Sequence, residues 1–188
     1  MRAPAWVSCV ALAMLGMVAS PVVRGQGSPP TDNPELARMF QEDQDDRKPG
    51  FHGIDWAMVK PRDDARLKRT RELYASGALL TGADWFHAAL ILQHSSEADD
   101  YLLAHEMCVA ALAKGEMNAK SLAAAAEDRF LMRIGRNQRF GTQYVPADEP
   151  GKFRLAPTDS QVTDELRALL DTPSLAEARA TASQFDKK

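Results

Sequence analysis

The chain has 188 residues, of which 45% are hydrophobic and 26% charged, and its 26 acidic and 23 basic residues give a formal net charge of −3. A mildly acidic balance with both signs interspersed speaks against a nucleic-acid partner and against an anionic membrane surface. No metal-binding or phosphate-binding motif is present: there is no His-Glu-x-x-His pair, no cysteine cluster and no phosphate loop.

The first residues, "MRAPAWVSCVALAMLGMVASPVVRGQG", carry one early positive charge, Arg2, and an apolar run from Trp6 to about Val18. The run is short for a bilayer span, and Val23 and Gly25 stand where a signal peptidase reads small residues. The expectation is a secretory signal over residues 1–25, cut after Gly25, with Ser20 as a second position disfavoured by the following proline. An uncleaved membrane anchor is the alternative. Cleavage places the protein outside the cytoplasm, periplasmic or extracellular, with no stable membrane association afterwards. It also leaves Cys108 alone, so no intramolecular disulfide forms. Cys108 lies in the apolar run "EMCVAAL" and reads as a small core residue.

Residues 26–33 read as a flexible leader. A helix then begins with Asn33 as cap, Pro34 at the first position and Glu35 at the positive end of the dipole, running to about Arg47. The Pro- and Gly-rich stretch through "KPRDD" predicts an irregular connection. Further helices are expected over about 62–76, 82–94, 97–114 and 118–134, with Gly77, Gly115 and Gly135 as stops. Residues 136–157 hold three prolines and read as a long ordered loop. A sixth helix follows in "TDSQVTDELRALLD" and a short terminal one in "SLAEARATASQF". No segment alternates convincingly with period two, so residues 34–185 are expected to form a single all-α domain. Its architecture would be an irregular bundle or array of about six helices, with the long loop before the C-terminal ones.

Several polar residues fall on stripes that otherwise look apolar. Leu36, Met39, Phe40, Asp43 and Arg47 share one face of the first helix, with Asp43 and Arg47 in the favoured i, i+4 orientation. That pair is either a structural ion pair or the mouth of a cleft. The third helix aligns Asp84, His87, Ile91 and His94, and a hairpin turning near Ser96 would set His87 and His105 at equal distances from the turn. His87 and His94 are about 10 Å apart along the helix, too far to share a metal ion. In the fifth helix Asp128 and Arg129 point about 100° apart and so serve different partners. The "NQRFGTQY" that follows is rich in amides around Gly141, which permits a tight turn.

Together, "DQDDR" (Asp43, Gln44, Arg47), "LQHSSEAD" (Gln93, His94, Asp99), "AEDR" (Asp128, Arg129) and "NQRFGTQ" (Gln138, Phe140, Gly141, Thr142, Gln143) resemble an uncharacterised bacterial family, domain-of-unknown-function family 6624. The resemblance spans about residues 33–180. Where that family has a tyrosine before its Gly-Thr-Gln, this chain has Phe140, so a phenol at that position is not required here. The resemblance implies no activity and no cofactor.

Two functions follow from these residues. One is an exported binding or interaction module for an unknown small molecule or protein. Its polar pocket would combine Gln44, Arg47, Gln93, Arg129, Gln138, Thr142 and Gln143 with the acids. The other is a hydrolase or lyase with His94 as general acid/base, Asp43 or Asp128 orienting it, and Arg47 or Arg129 holding an anionic substrate. Convergence of the four segments on one concave pocket is the expectation common to both.

Overall fold

A computed structural model describes residues 29–50 and 52–186; the expected signal and the start of the leader lie outside these residues. The described chain is mostly helical, with one small sheet, in agreement with the all-α expectation. Helix α1 spans Pro34–Arg47 and is capped by Asn33, whose Oδ1 accepts from the N–H groups of Glu35 and Leu36. Asn33 is itself anchored, its N–H donating to Asp84 Oδ1 at 2.7 Å, so the leader is tied down at its last residue.

Helix α2 corrects the sequence reading. It covers Trp56–Ala75 and so includes the "KPRDD" expected to be irregular. Asp55 caps it by accepting from the Ala57 and Met58 N–H groups. Pro61 removes only the hydrogen bond to the Ala57 carbonyl, and both residues are exposed, so water can satisfy that oxygen. Helices α3 (Gly82–Leu92), α4 (Ala98–Ala113) and α5 (Ala119–Arg133) lie close to their expected positions. Thr81 and Asp84 form a reciprocal capping box at the start of α3.

The main core lies among α1 to α5, where Leu36, Met39, Leu67, Ile91, Leu92 and Met107 interlock with a set of buried alanines. Ala88, Ala104, Ala111 and Ala126 have no exposed surface, and their small side chains let neighbouring helices approach closely. Cys108 is fully buried, and desolvation pushes its thiol up to about 12, as befits a core residue without nucleophilic character.

The long loop is the second correction. It holds an antiparallel hairpin of β1 (Tyr144–Pro146) and β2 (Phe153–Leu155), with Tyr144 opposite Leu155. Three-residue strands are too short to show a period-two pattern. Helix α6 is also shorter than expected, spanning Asp164–Leu169 behind the Thr163 cap. Helix α7 (Leu175–Thr181) runs into a 3-10 turn over Ala182–Phe185. A small second core of Ala124, Phe140 and Val162 joins this C-terminal part to the α5 face.

Candidate functional site

The expected polar residues assemble into two networks and one cavity. The first network fills the space between α1, α2 and the end of α3. Asp43 is fully buried, and its Oδ1 accepts from Arg47 at 2.8 Å while its Oδ2 accepts from Gln44 at 3.0 Å. Arg47 continues to Asp63 Oδ2 at 2.8 Å. Arg66 joins Asp63 at 2.6 Å and Asp46 at 2.8 Å. Burial alone would raise the Asp63 carboxyl, but hydrogen bonds from Arg66 and Arg47 outweigh it and hold the group below its ordinary range. The same opposition, with desolvation outweighed by Asp63 and Asp46, raises the Arg66 pKa. His94 Nε2 stands 3.3 Å from Asp43 Oδ2, yet it is not aligned for a hydrogen bond. Arg66 Nε, 3.8 Å from Asp43 Oδ1, and Thr70 Oγ1, one turn further along α2, are also buried without a hydrogen-bond partner.

Asp63 and Arg66 were not anticipated. Their signal was present, because Val59, Asp63, Arg66, Leu67 and Thr70 form one buried stripe of α2. Four of the five lie within the helix expected over about 62–76, and only Val59 required Pro61 inside the helix.

The second network organises the turn after α5. Asp128, fully buried, accepts four hydrogen bonds: Oδ1 from the N–H groups of Arg139 (2.6 Å) and Phe140 (2.9 Å), Oδ2 from the N–H (3.0 Å) and hydroxyl (2.8 Å) of Thr142. Gly141 has φ +82, a left-handed conformation that glycine adopts without strain, and it turns the chain so that both flanking N–H groups reach the same carboxylate. Gln138 is equally buried. Its Nε2 donates to the carbonyls of Gln143 (3.0 Å) and Ala156 (2.9 Å), and its Oε1 accepts from the Gln143 N–H (2.9 Å).

From the other side Arg167, only 2% exposed, donates to the carbonyls of Phe140 (3.2 Å), Val162 (2.8 Å) and Arg139 (3.0 Å) and pairs with Asp164 (3.0 Å). Nothing in "DELRALL" announces this role, since an arginine there reads as a solvated charge.

Asp128 and Arg129 serve different partners, as their angular separation requires. Among the described residues Arg129 pairs with no carboxylate. Its one hydrogen bond there is a 3.5 Å contact to the Ala125 carbonyl, and desolvation lowers its pKa against the opposing pull of Tyr101 and Asp128. Glu127 is paired with Arg139, and Asp128 is committed to the turn. Arg129 instead lines a cavity of about 310 Å³ with Tyr101, Met132, Arg133 and Gln143. Gln143 is held there through Nε2, which donates to Thr142 Oγ1 at 2.8 Å. The Tyr101 hydroxyl donates to the Ser95 carbonyl, next in sequence to His94, so the cavity and the first network lie at the same end of the bundle. A neighbouring cavity of about 380 Å³ is more apolar, with Phe86, Leu90, Leu122 and Thr142 among its walls.

The single pocket expected from four segments is therefore divided. Asp43, Gln44, Arg47 and His94 are brought together, and Asp128, Gln138, Thr142 and Gln143 are brought together. Among the described residues no hydrogen bond or ion pair joins the two sets. Arg129 stands on the cavity, and the Gln93 side chain, at the C-cap of α3, enters neither network. The histidines do not form a cluster. His87 stacks on Phe40 with ring centroids 4.1 Å apart, and His105 Nδ1 lies 3.0 Å from the Ala123 carbonyl. Comparisons of the chain with family models, with curated proteins and with solved structures returned no match.

Proposed function

We propose that the chain is an exported helical binding module whose ligand is a small molecule. The ligand site is the cavity bounded by Tyr101, Arg129, Met132, Arg133 and Gln143. One observation carries this reading: Arg129 is a partly buried guanidinium with no carboxylate partner, aimed into a cavity. A desolvated charge without a counter-ion costs stability, and functional sites are where such a cost is retained. The two networks then act as its frame. The Asp128 staple holds the Gly-Thr-Gln turn so that Gln143 faces the cavity, and the Asp43 network ties the ends of α1 and α3 to α2 at the same end of the bundle. Export rests on the amino-terminal residues described above, and the intact mass of the secreted form tests it, with a cut near Gly25 expected.

Thermal melts of Arg129→Ala, paired with a metabolite-binding screen, test the site. The expected result is an unchanged or higher melting temperature together with loss of ligand binding. A large drop in melting temperature with binding retained would make Arg129 a structural residue.

A second reading, a hydrolase or lyase centred on His94, is favoured by the 3.3 Å approach of His94 to a carboxylate that Arg47 and Gln44 hold in place. Turnover abolished by His94→Ala at unchanged stability is the result that would transfer the assignment to it.

A further inference from the structure

We infer that the cavity beside Arg129 binds a small carboxylic acid with a short apolar tail, the carboxylate lying against the Arg129 guanidinium. This rests on the reading of that cavity as the ligand site and names the class of its ligand.

Charge is the first argument. Arg129 and Arg133 are one helical turn apart on α5, both line the cavity, and neither has an ion-pair partner among the described residues. No carboxylate is among the lining residues. Two like charges at i, i+4 facing one hollow repel each other, and an anion between them removes the repulsion. The acids beside these residues in sequence have their oxygens committed elsewhere: Glu127 to Arg139, Asp128 to its four donors, and Asp100 to Arg71 and Ser95, so that Asp128 acts on Arg129 only through its field.

Shape and donor number select a carboxylate over a phosphate. Arg129 is the one partly buried cation of the cavity, Arg133 being exposed, and a single guanidinium fork matches the two oxygens of one carboxylate. A phosphate dianion would have to draw its second charge partner from Arg133, which is exposed. The Tyr101 hydroxyl is already given to the Ser95 carbonyl, and one of the two Gln143 Nε2 hydrogens to Thr142, which leaves a single neutral N–H. The Gln143 Oε1 is left as an acceptor, which suits a neutral donor on the ligand and repels a second anionic oxygen. Met132 and the ring of Tyr101 supply apolar surface, and a cavity of about 310 Å³ sits at the lower end of small-ligand sites.

Calorimetric titration of the full chain at low ionic strength with butyrate, butyramide and inorganic phosphate tests the inference. Butyrate should bind at least about tenfold more tightly than its uncharged amide or phosphate, a difference of the size expected for charge-assisted hydrogen bonds. Arg129→Gln should lose that advantage, and so should Arg129→Lys, which keeps the charge without the fork. Arg133→Gln should lose a smaller factor that added salt abolishes, as for an exposed charge.

Absence of butyrate binding, equal binding of butyramide, or a preference for phosphate would each overturn the carboxylate assignment. A neutral compound that binds the native chain and not Arg129→Gln would overturn the ligand class and leave the cavity as the site. A sharp fall in the melting temperature of both Arg129 variants, with butyrate affinity unchanged, would overturn the site itself.

Discussion

Thr142 meets the Asp128 carboxylate twice, through its backbone N–H at 3.0 Å and its hydroxyl at 2.8 Å, both on Oδ2. The other oxygen is occupied by the N–H groups of Arg139 and Phe140. A carboxylate with four donors in a fully buried position has no lone pair left for a substrate proton, so its task is to hold the turn.

Asp128→Asn should therefore destabilise the protein by about 2–4 kcal/mol, because one amide face presents N–H groups to backbone N–H groups. Chemical denaturation measures this. A fully stable Asp128→Asn protein that had lost ligand binding would return the residue to the site.

Arg167→Met should cost about 3 kcal/mol or more, since three buried carbonyls lose their donor at once. Arg167→Lys should rescue little of it, because one ammonium cannot span acceptors that a planar fork reaches. Hydrogen exchange of the 138–143 turn should accelerate in both variants; unchanged protection there would refute the link.

His87 makes a pH prediction. Desolvation lowers its pKa from 6.5, against the opposing pull of Asp32, Asp84 and Glu116, and its Nδ1 is buried without a partner. Between the folded and unfolded values the unfolded chain binds the extra proton, so stability falls as pH drops below about 6.5. His87→Phe, which keeps the stack on Phe40, should flatten that slope and add about 1 kcal/mol at pH 6. A second loss belongs to Asp63 and Asp100. Desolvation opposes both, but their arginine partners, aided by Ser95 at Asp100, hold them below 3.8. Their stabilisation is present above that value and disappears as pH falls through the folded one. Urea midpoints from pH 7 to pH 3 record both phases.

In the first network, Asp43→Ala should cost about 3 kcal/mol, because it strips Arg47 of one buried counter-ion and removes the acid nearest Arg66 Nε. His94→Ala should cost about 1 kcal/mol or less, its approach to Asp43 being unaligned. Equal losses in the two variants would mean that His94 is a structural partner of the acid.

Much of the fold was legible because its signals are local. Asn33, Gly77, Gly115 and Gly135 mark helix ends through their own side chains or their own backbone freedom, and the apolar stripes of α1, α3, α4 and α5 follow from helical spacing alone. The α2 start was missed because the penalty of Pro61 depends on whether water reaches one carbonyl, which only the packed structure decides. The hairpin escaped because its pairing is between residues seven to eleven apart, Pro146 with Phe153 and Tyr144 with Leu155, in strands too short to carry a pattern.

By itself the sequence determined that the described chain would be helical, that Asp128 and Arg129 would part company, and that buried polar residues would need partners. Which partners those are was decided by the tertiary structure. A carboxylate on an apolar stripe states only that its charge must be neutralised; whether an arginine, four backbone donors or a bound molecule does so depends on what distant segments bring within 3 Å. For Asp43 it was Arg47, and for Asp128 a turn eleven to fourteen residues downstream. For Arg129 no carboxylate came among the described residues, and that is why the cavity beside it is the place to look for a ligand.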